Sequence, residues 1–316
     1  MMTINIVKQR LLEQLPDEID YLMVCASFED RCLSFYEYLD SERVSKTGVF
    51  YFKQFLSNSS QNVSKLEKKF DGQRFEMDYT SPTSIADAIM RFVENAETDG
   101  ATPNVVIDIS TFTRESLLIL VRYLLINNEE YSGIYLFYRF ASVSQYLSDG
   151  VESIRSVLGY MGDVSVDKPT HLVLLSGFEY ERAKDIIDAL EPDFISIGYG
   201  GESCSITTSL YELNKEFTDK LVAYYTNENI HIFEHSLIDP DEVKDIVLKL
   251  VDDKQEYNTV VAPLNNKIST LGVALAAVQN ASIQLIYSQM EEYNEKNYSQ
   301  CEDDCLIFNL NDMIIM

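Results

Sequence analysis

The sequence predicts a protein of the α/β class with two similar halves. Strands alternate with helices along the chain, and the strands are apolar throughout instead of on alternate residues, as in Val105–Ile109 and Thr170–Leu175. Such strands are typical of parallel sheets that helices cover on both faces. The order of strands and helices in the first half also recurs in the second. We therefore expect two tandem Rossmann-like parallel-sheet units related by internal duplication.

The first half is predicted to contain five strands separated by helices. The strands are Tyr21–Ala26, Gly48–Phe52, Phe75–Tyr79, Val105–Ile109 and Ile134–Arg139. The helices are Thr3–Leu15, a segment ending at Leu39, Val63–Phe70, Ile85–Glu94 and a segment that follows Thr113. Ser57–Asn62 is polar and is predicted to be a loop.

The second half repeats this order. The predicted strands are Thr170–Leu175, Phe194–Ile197, Ile230–Glu234, Thr259–Ala262 and Ile283–Tyr287. The predicted helices are Ala183–Leu190, Ser209–Tyr225, Asp241–Val251 and Ile268–Val278. The acidic stretch 289–304 is expected to be solvated and mobile. Leu306–Phe308 and Met313–Met316 are apolar again, which favours a final edge strand over an oligomer contact.

Equivalent landmarks keep nearly one offset between the halves. Phe28 and Phe178 lie 150 residues apart, and Ile134 and Ile283 lie 149 apart. The boundary is expected near residues 162–169, so the predicted domains are 1–165 and 166–316. Because ligands of such sheets bind beyond the carboxyl ends of the strands, the loops there are the candidate sites.

The formal net charge of −26 at pH 7 excludes several classes of function. Affinity for nucleic acid comes largely from Lys and Arg that neutralise phosphates, so we expect no binding of duplex nucleic acid. No apolar run approaches the roughly 20 residues that span a bilayer. The start of the sequence also lacks a signal-peptide core. We therefore expect a cytoplasmic protein without a membrane partner, which binds a small anion in a locally basic pocket or a basic partner protein.

Metal and cofactor motifs are absent from the sequence. The five cysteines form no CxxC pairs, and the three histidines are too few for a His-rich centre. Neither GxxxxGK[ST] nor GxGxxG occurs. We expect no metal, no cofactor and reduced structural thiols.

Two strand-to-helix junctions carry the best functional signal. In the first, Ser110 and Thr111 precede Arg114, which stands in the first turn of a helix. In the second, Asn265 and Asn266 precede Lys267. A helix N-terminus presents unpaired N–H groups and a positive dipole end, and a cation adds to that field. The junctions are predicted to bind an anion, with helix capping as the alternative role of the polar side chains.

The loops after the first strand of each half repeat a second pattern. Ser27 and Gly177 would allow close approach of a ligand, and Arg31 and Arg182 would supply bidentate phosphate contacts. The alternative is a packed Phe with an ordinary Glu–Arg pair.

Two carboxylates are candidate catalytic groups. Asp108 interrupts an apolar strand and is costly to bury without a partner. It either bonds to neighbouring hydroxyls or faces the pocket as a base. Its counterpart is Pro263, which confines such chemistry to the first unit. Glu29 is the other candidate base.

Asp108–Arg114 and Leu264–Lys267, with the loops at Ser27 and Ser176–Gly177, resemble the ligand-binding loops of CARF domains. Two such units in one chain resemble the SAVED arrangement or a fused CARF pair. The resemblance implies a sensor of cyclic oligonucleotides in prokaryotic antiviral defence, with the ligand between the two units. It also implies an effector on another chain.

Three classes of function remain open at this point. The sequence favours a nucleotide-sensing module or accessory subunit over an enzyme. A nucleotide-processing enzyme that uses Asp108 or Glu29 is the first alternative. An acidic scaffold that binds a basic partner protein is the second.

Overall fold

The structure is a computed structural model that describes residues 12–95, 102–143, 147–225, 229–295 and 298–314. Its strands are β1 (Ile19–Ala26), β2 (Val44–Phe52), β3 (Gln73–Met77), β4 (Asn104–Asp108), β5 (Gly133–Val143), β6 (Ser148–Ser156), β7 (Thr170–Leu175), β8 (Phe194–Gly200), β9 (Ile230–His235), β10 (Asn258–Pro263), β11 (Gln284–Tyr293) and β12 (Ser299–Asn309). Its helices are α1 (Ser34–Tyr38), α2 (Leu56–Phe70), α3 (Pro82–Asn95), α4 (Arg114–Ile126), α5 (Tyr180–Leu190), α6 (Thr208–Tyr224), α7 (Pro240–Asp252), α8 (Lys267–Gln279) and α9 (Leu310–Ile314).

The strands form two six-stranded sheets with the same order. The first sheet runs β12-β5-β4-β1-β2-β3 and the second runs β6-β11-β10-β7-β8-β9. Neighbours within β5-β4-β1-β2-β3 pair in parallel, and so do neighbours within β11-β10-β7-β8-β9. The prediction of two Rossmann-like α/β units with mostly parallel sheets is confirmed.

The sixth strand of each sheet comes from the other half of the sequence. β6 follows β5 in the chain but pairs antiparallel with β11, whereas β12 follows β11 but lies beside β5. The two compact units are therefore Met1–Ser142 with Glu295–Met316, the first unit, and Val143–Asn294, the second unit. This division differs from the predicted boundary at residue 165, because an offset between equivalent segments gives no information on strand exchange.

The acidic stretch 289–304 is largely strand where the structure describes it, which the sequence did not predict, although most of its acidic side chains are exposed, as expected. Its first part lies in β11 and its last part in β12, and Gln289 is buried. Backbone pairing with a neighbouring strand stabilises it, which the charge of the side chains does not reveal. Leu306–Phe308 does form part of an edge strand, as predicted. The predicted helix Thr3–Leu15 lies mostly outside the described residues.

Each unit has its core between its sheet and its helices. In the first unit, β1 and β4 pack with α2 through residues such as Leu22, Val106 and Leu66, each with no exposed surface. In the second unit, β7 and β8 pack with α5 and α6, as at Leu174 and Ile186. The central helices α4 and α8 are buried on most of their surface. A sheet that helices cover on both faces requires strands with apolar residues on both faces.

The segment Ser57–Asn62 belongs to α2 and is not the predicted loop. The hydroxyl of Ser59 donates to the carbonyl oxygen of Phe55 (2.9 Å), and the amide of Asn62 donates to the carbonyl oxygen of Ser27 (2.9 Å). Both side chains are buried. The Ser59 bond is local, whereas the Asn62 bond joins the helix to the loop after β1, a tertiary contact that favours the helix despite the low helix propensity of Ser and Asn. In the described part of the chain, no helix is both long and apolar enough to cross a bilayer.

Candidate functional site

The predicted site residues lie at the carboxyl edges of the sheets. In the first unit, Thr111 donates its hydroxyl to the carbonyl oxygen of Cys25 at the end of β1 (2.6 Å). The hydroxyl oxygen of Ser110 accepts the backbone N–H of Arg139 in β5 (2.9 Å). Both side chains are buried. Ser110 and Thr111 therefore join the loop after β4 to the strands on either side of it.

Asp108 ends β4 and has only 1% of its surface exposed. One carboxylate oxygen accepts the backbone N–H of Ser110 (3.0 Å), and the other has no hydrogen-bond partner among the described residues. Burial raises the pKa of Asp108 to about 7, against the opposing effect of hydrogen bonds from Ser110 and of the charges on Arg31 and Arg139. A carboxyl group in this state can exchange a proton near neutral pH.

Glu29 and Arg31 form a buried ion pair in the loop after β1, with 3.0 Å between Nε and Oε2. Arg31 also donates to the carbonyl oxygen of Arg139 in β5 (3.4 Å), and Ser299 at the start of β12 donates its hydroxyl to Glu29. Burial opposes the charge of Arg31, but attraction by Glu29 and Tyr138 outweighs it and raises the pKa. We call Ser299, Glu29 and Arg31 the first brace, because they connect the β1 loop to β5 and β12.

The second unit contains the same arrangement, the second brace. Nη1 of Arg182 lies 2.9 Å from Oε2 of Glu179, and Arg182 donates to the carbonyl oxygen of Ser288 in β11. Ser148 at the start of β6 donates its hydroxyl to Glu179. The guanidinium also lies 5.6 Å from the centre of the Tyr287 ring. In both units the brace therefore connects the loop after the first strand to the fifth strand and to the exchanged sixth strand.

The braces occupy three of the predicted site residues, namely Glu29, Arg31 and Arg182. A cavity of about 200 Å³ lies beside the second brace, and it is lined by Glu179 and Arg182 together with Asp149, Glu181 and Asp185. Four carboxyl groups around one guanidinium repel an anion. The sequence left both roles open, since an arginine serves equally in an ion pair with a carboxylate and in a phosphate site.

Gly177 has a packing reason to be glycine. A Cβ atom at this position would lie 2.3 Å from the carbonyl oxygen of Leu264, so the loop after β7 contacts the loop after β10 directly. Asn265 continues this contact, because its amide donates to the carbonyl oxygen of Ser176 (2.6 Å). Packing against the loop after β10 is thus sufficient to explain a glycine at this position.

Asn214 in α6 is a site residue that the sequence reasoning missed. Its amide donates to the carbonyl oxygens of Ser176 (3.1 Å) and Gly177 (2.8 Å), and its own oxygen accepts the N–H of Gly200 (2.9 Å). Asn62 in α2 makes the corresponding contact with the β1 loop of the first unit. The two asparagines lie 152 residues apart, close to the offset of the other landmarks, and that offset was the available signal.

Arg114 and Lys267 occupy the first position of α4 and α8, and both are half-buried. The residue before each caps its helix: Thr113 accepts the N–H of Ser116 (3.1 Å) and Asn266 accepts the N–H of Ser269 (2.9 Å). The predicted capping role therefore belongs to Thr113 and Asn266. Each cation adds its charge to the positive end of a helix of 13 residues.

In the first unit, Arg31 and Arg114 lie on one part of the edge. The phenol of Tyr138 in β5 is buried, and burial raises its pKa while the nearby charges of Arg31 and Arg114 lower it. Among the described residues, no three His, Cys, Asp or Glu side chains are grouped so that they could hold a metal ion.

No protein-family model and no curated protein matches the sequence. Among solved structures, a type III CRISPR defence DNA nuclease activated by cyclic oligoadenylate is similar, with a TM-score of 0.48 and 8% identity over 81% of this chain and 63% of that one. A periplasmic ribose ABC transporter protein from Conexibacter woesei has a TM-score of 0.27 and 12% identity over 84% of this chain and 69% of that one. A periplasmic sugar-binding protein from Pseudomonas fluorescens has a TM-score of 0.23 and 9% identity over 83% of this chain and 66% of that one. The chain thus spans less than two thirds of the length of the nuclease.

Proposed function

We propose that this chain is a binding module for a small anionic nucleotide, with Arg114 in the first unit and Lys267 in the second as the cations that contact an anion at the carboxyl edge of each sheet. The observation that carries the proposal is that both cations stand at the first position of equivalent helices, half-buried, at the edge where Rossmann-like units bind ligands. Helix dipole, N–H groups and cation then act on one anion. A cation recurs at the equivalent helix position in both units, which is not expected of an ordinary surface charge.

The resemblance of the loops to CARF domains suggests the ligand class. We propose a cyclic oligonucleotide as the ligand, a role as sensor or accessory subunit in antiviral defence, and an effector on a partner chain in the cytoplasm. Duplex nucleic acid is not a ligand in this proposal, because the net charge of −26 repels it. Arg31, Arg182 and Gly177 act in this proposal as supports of the edge, since their contacts are internal to each unit.

The test is calorimetric titration with cyclic tetra- and hexaadenylate of the wild type and of Arg114→Ala, Lys267→Ala and the double variant. Charge-assisted contacts contribute about 1.5–3 kcal/mol each, so each single variant should bind roughly ten- to a hundredfold more weakly. Arg122→Ala is the matched control, because Arg122 is a half-buried arginine on the same helix. Unchanged affinity in the double variant, or no binding by the wild type, would refute the proposal.

A second candidate function is proton transfer by Asp108, favoured by its one buried oxygen without a hydrogen-bond partner in the described chain. An enzyme that processes nucleotides would use this carboxyl group as a base or acid. Incubation of cyclic and linear oligoadenylates with the wild type and Asp108→Asn, followed by chromatography, tests it. Turnover that Asp108→Asn abolishes supports an enzyme, and absence of turnover in the wild type argues against it.

A further inference from the structure

A groove on the outer face of α2 has a charge opposite to that of the protein as a whole. Its volume is about 790 Å³, and Lys65, Lys68 and Lys69 line it. Gln61, Ser64 and Tyr36 contribute further to its walls, and none of its lining residues is acidic. Acidic residues outnumber basic ones 51 to 25 in the sequence, so a groove lined by cations and no carboxylate is a local exception.

The three lysines differ in their pairing from Lys53, Lys184 and Lys244, each of which lies within 2.7 Å of an aspartate oxygen. Among the described residues, no carboxylate lies within ion-pair distance of Lys65 or Lys68. Lys69 donates to the carbonyl oxygen of Tyr36 (2.6 Å), and its ammonium group lies 5.4 Å from the centre of the Tyr36 ring and 5.6 Å from that of Phe70. The groove therefore keeps its positive charge.

Two carboxylates next to lining residues of the groove, Glu67 and Glu37, are engaged elsewhere. Glu67 on α2 accepts from Nε of Arg74 (3.0 Å), and Glu37 lies 3.9 Å from Arg139. At physiological salt the Debye length is about 8 Å, so more distant acidic residues repel a bound anion only weakly. The local charge of the groove then decides what binds there.

The groove is separate from the carboxyl-edge site. Asn62, in the first half of α2, contacts the β1 loop at the carboxyl edge. A helix that connects parallel strands runs antiparallel to them, so Lys65–Lys69 in its second half lie toward the amino ends of the strands. A ligand bound by Arg114 at the carboxyl edge would not reach this groove, so the groove is a second site, independent of the proposed function.

We propose that this groove binds a short single-stranded oligonucleotide. Lys65, Lys68 and Lys69 would contact successive phosphates, because positions three and four apart share one face of a helix. Tyr36 is 37% exposed, and its ring lines the groove and offers a stacking surface for a base, while Gln61 and Ser64 supply polar contacts. Cations that follow the backbone beside an aromatic ring are the usual elements of single-strand recognition.

The experiment measures fluorescence anisotropy of a labelled 12-nucleotide single-stranded RNA of mixed sequence at several salt concentrations. Lys65→Gln/Lys68→Gln should weaken binding about tenfold or more, and should reduce the slope of log K against log salt by about 1.4, for two lost phosphate contacts. Lys215→Gln/Lys220→Gln is the matched control, because it changes the net charge equally on a helix of the second unit. Equal loss in both double variants would overturn the proposal.

Three further arms separate the possible occupants. Tyr36→Leu should weaken binding about tenfold while Tyr36→Phe should not, because only the ring stacks on a base. Poly-glutamate of matched charge should compete poorly; efficient competition would overturn the oligonucleotide and identify an acidic peptide. Arg114→Ala/Lys267→Ala should bind the RNA like the wild type, so failure of the carboxyl-edge proposal and failure of this one are distinguishable. No binding by the wild type would also overturn it.

Discussion

The two units share a strand order and a brace, but they bury titratable groups of opposite sign. The first unit buries Asp108, and burial raises its pKa to about 7. The second unit buries His171 and His235, and burial lowers the pKa of each to about 4. At the position of Asp108 the second unit has Pro263. One architecture thus holds both kinds of group uncharged at a pH between these values.

The difference teaches which part of the carboxyl edge is structural and which part can vary. The braces recur with the same three residue types and the same strand contacts. The residues at the end of the neighbouring strand differ, since Asp108 in the first unit corresponds to Pro263 in the second. The recurring part fixes the exchanged strands β6 and β12 to their sheets. The varying part gives the first unit a carboxyl group that titrates and gives the second a neutral amide network between Asn265 and Asn214.

The largest expected effect comes from breaking a brace. Arg182→Ala leaves Glu179 buried without its cation, which costs about 3–5 kcal/mol of unfolding free energy. Arg31→Ala should cost slightly less, because its pair with Glu29 is also buried but somewhat more exposed. Urea unfolding measures both. Lys220→Ala, which removes an exposed pair with Glu216, is the control and should cost under about 1 kcal/mol. Equal costs for Arg182→Ala and Lys220→Ala would mean that the brace is not structural.

The pH dependence of stability should differ between the units. Asp108 has a raised pKa in the folded state, so its contribution is present at low pH and is lost as pH rises from about 4 to 7. The Asp108→Asn variant has no titrating group at this position and so does not lose this stability. Its unfolding free energy relative to that of the wild type should therefore increase between pH 5 and pH 8, by roughly 2–3 kcal/mol. Native-state hydrogen exchange, evaluated separately for each unit, measures it.

The histidines give the opposite sign in the second unit. Their folded pKa values are depressed, so the unfolded state gains protons first and stability is lost as pH falls from about 6.5 to 4. His171→Gln should therefore gain roughly 2 kcal/mol relative to the wild type between pH 7 and pH 5. The same hydrogen-exchange data provide the comparison. A parallel pH response of both units would contradict the assignment of these groups.

A smaller effect is expected at the loops after the first strands. Gly177→Ala places a Cβ atom against the carbonyl oxygen of Leu264 and should destabilise the second unit by about 1–3 kcal/mol. Ser27 already carries a side chain in the equivalent loop, so Ser27→Ala should cost less than about 1 kcal/mol. Thermal unfolding of both variants measures the contrast. If Gly177→Ala instead left stability unchanged and weakened ligand binding, close approach of a ligand would explain the glycine.

The smallest effects concern the helix caps. Thr113→Ala and Asn266→Ala each remove one capping hydrogen bond and should cost about 1 kcal/mol of stability. Asn266 also donates to the carbonyl oxygen of Leu237 (2.8 Å), so its replacement should cost slightly more. Chemical denaturation resolves the two values. A loss of several kcal/mol at Thr113 would indicate a role beyond capping.

Much of the fold follows from the sequence because the signals are local. Continuous apolar strands such as Thr170–Leu175 indicate a covered parallel sheet, and the strand is found at those residues. Hydroxyl and amide residues before Arg114 and Lys267 mark the start of α4 and α8. The repeated order of elements gives the equivalence of the halves, which the two sheets share. The first two features depend on neighbours within a few residues, and the third only on the order of the elements along the chain.

The candidate site was decided by tertiary structure, because its contacts join residues far apart in the chain. No local pattern connects Ser299 with Glu29, 270 positions away, or exchanges β6 with β12 between the sheets. The sequence offered a Glu–Arg pair as the alternative role of Arg31 and Arg182, but it could not tell that each pair is buried and bonded to distant strands. Burial of an ion pair depends on the strands that cover it, and here those strands come from parts of the chain more than 30 residues away, which only the folded chain brings together.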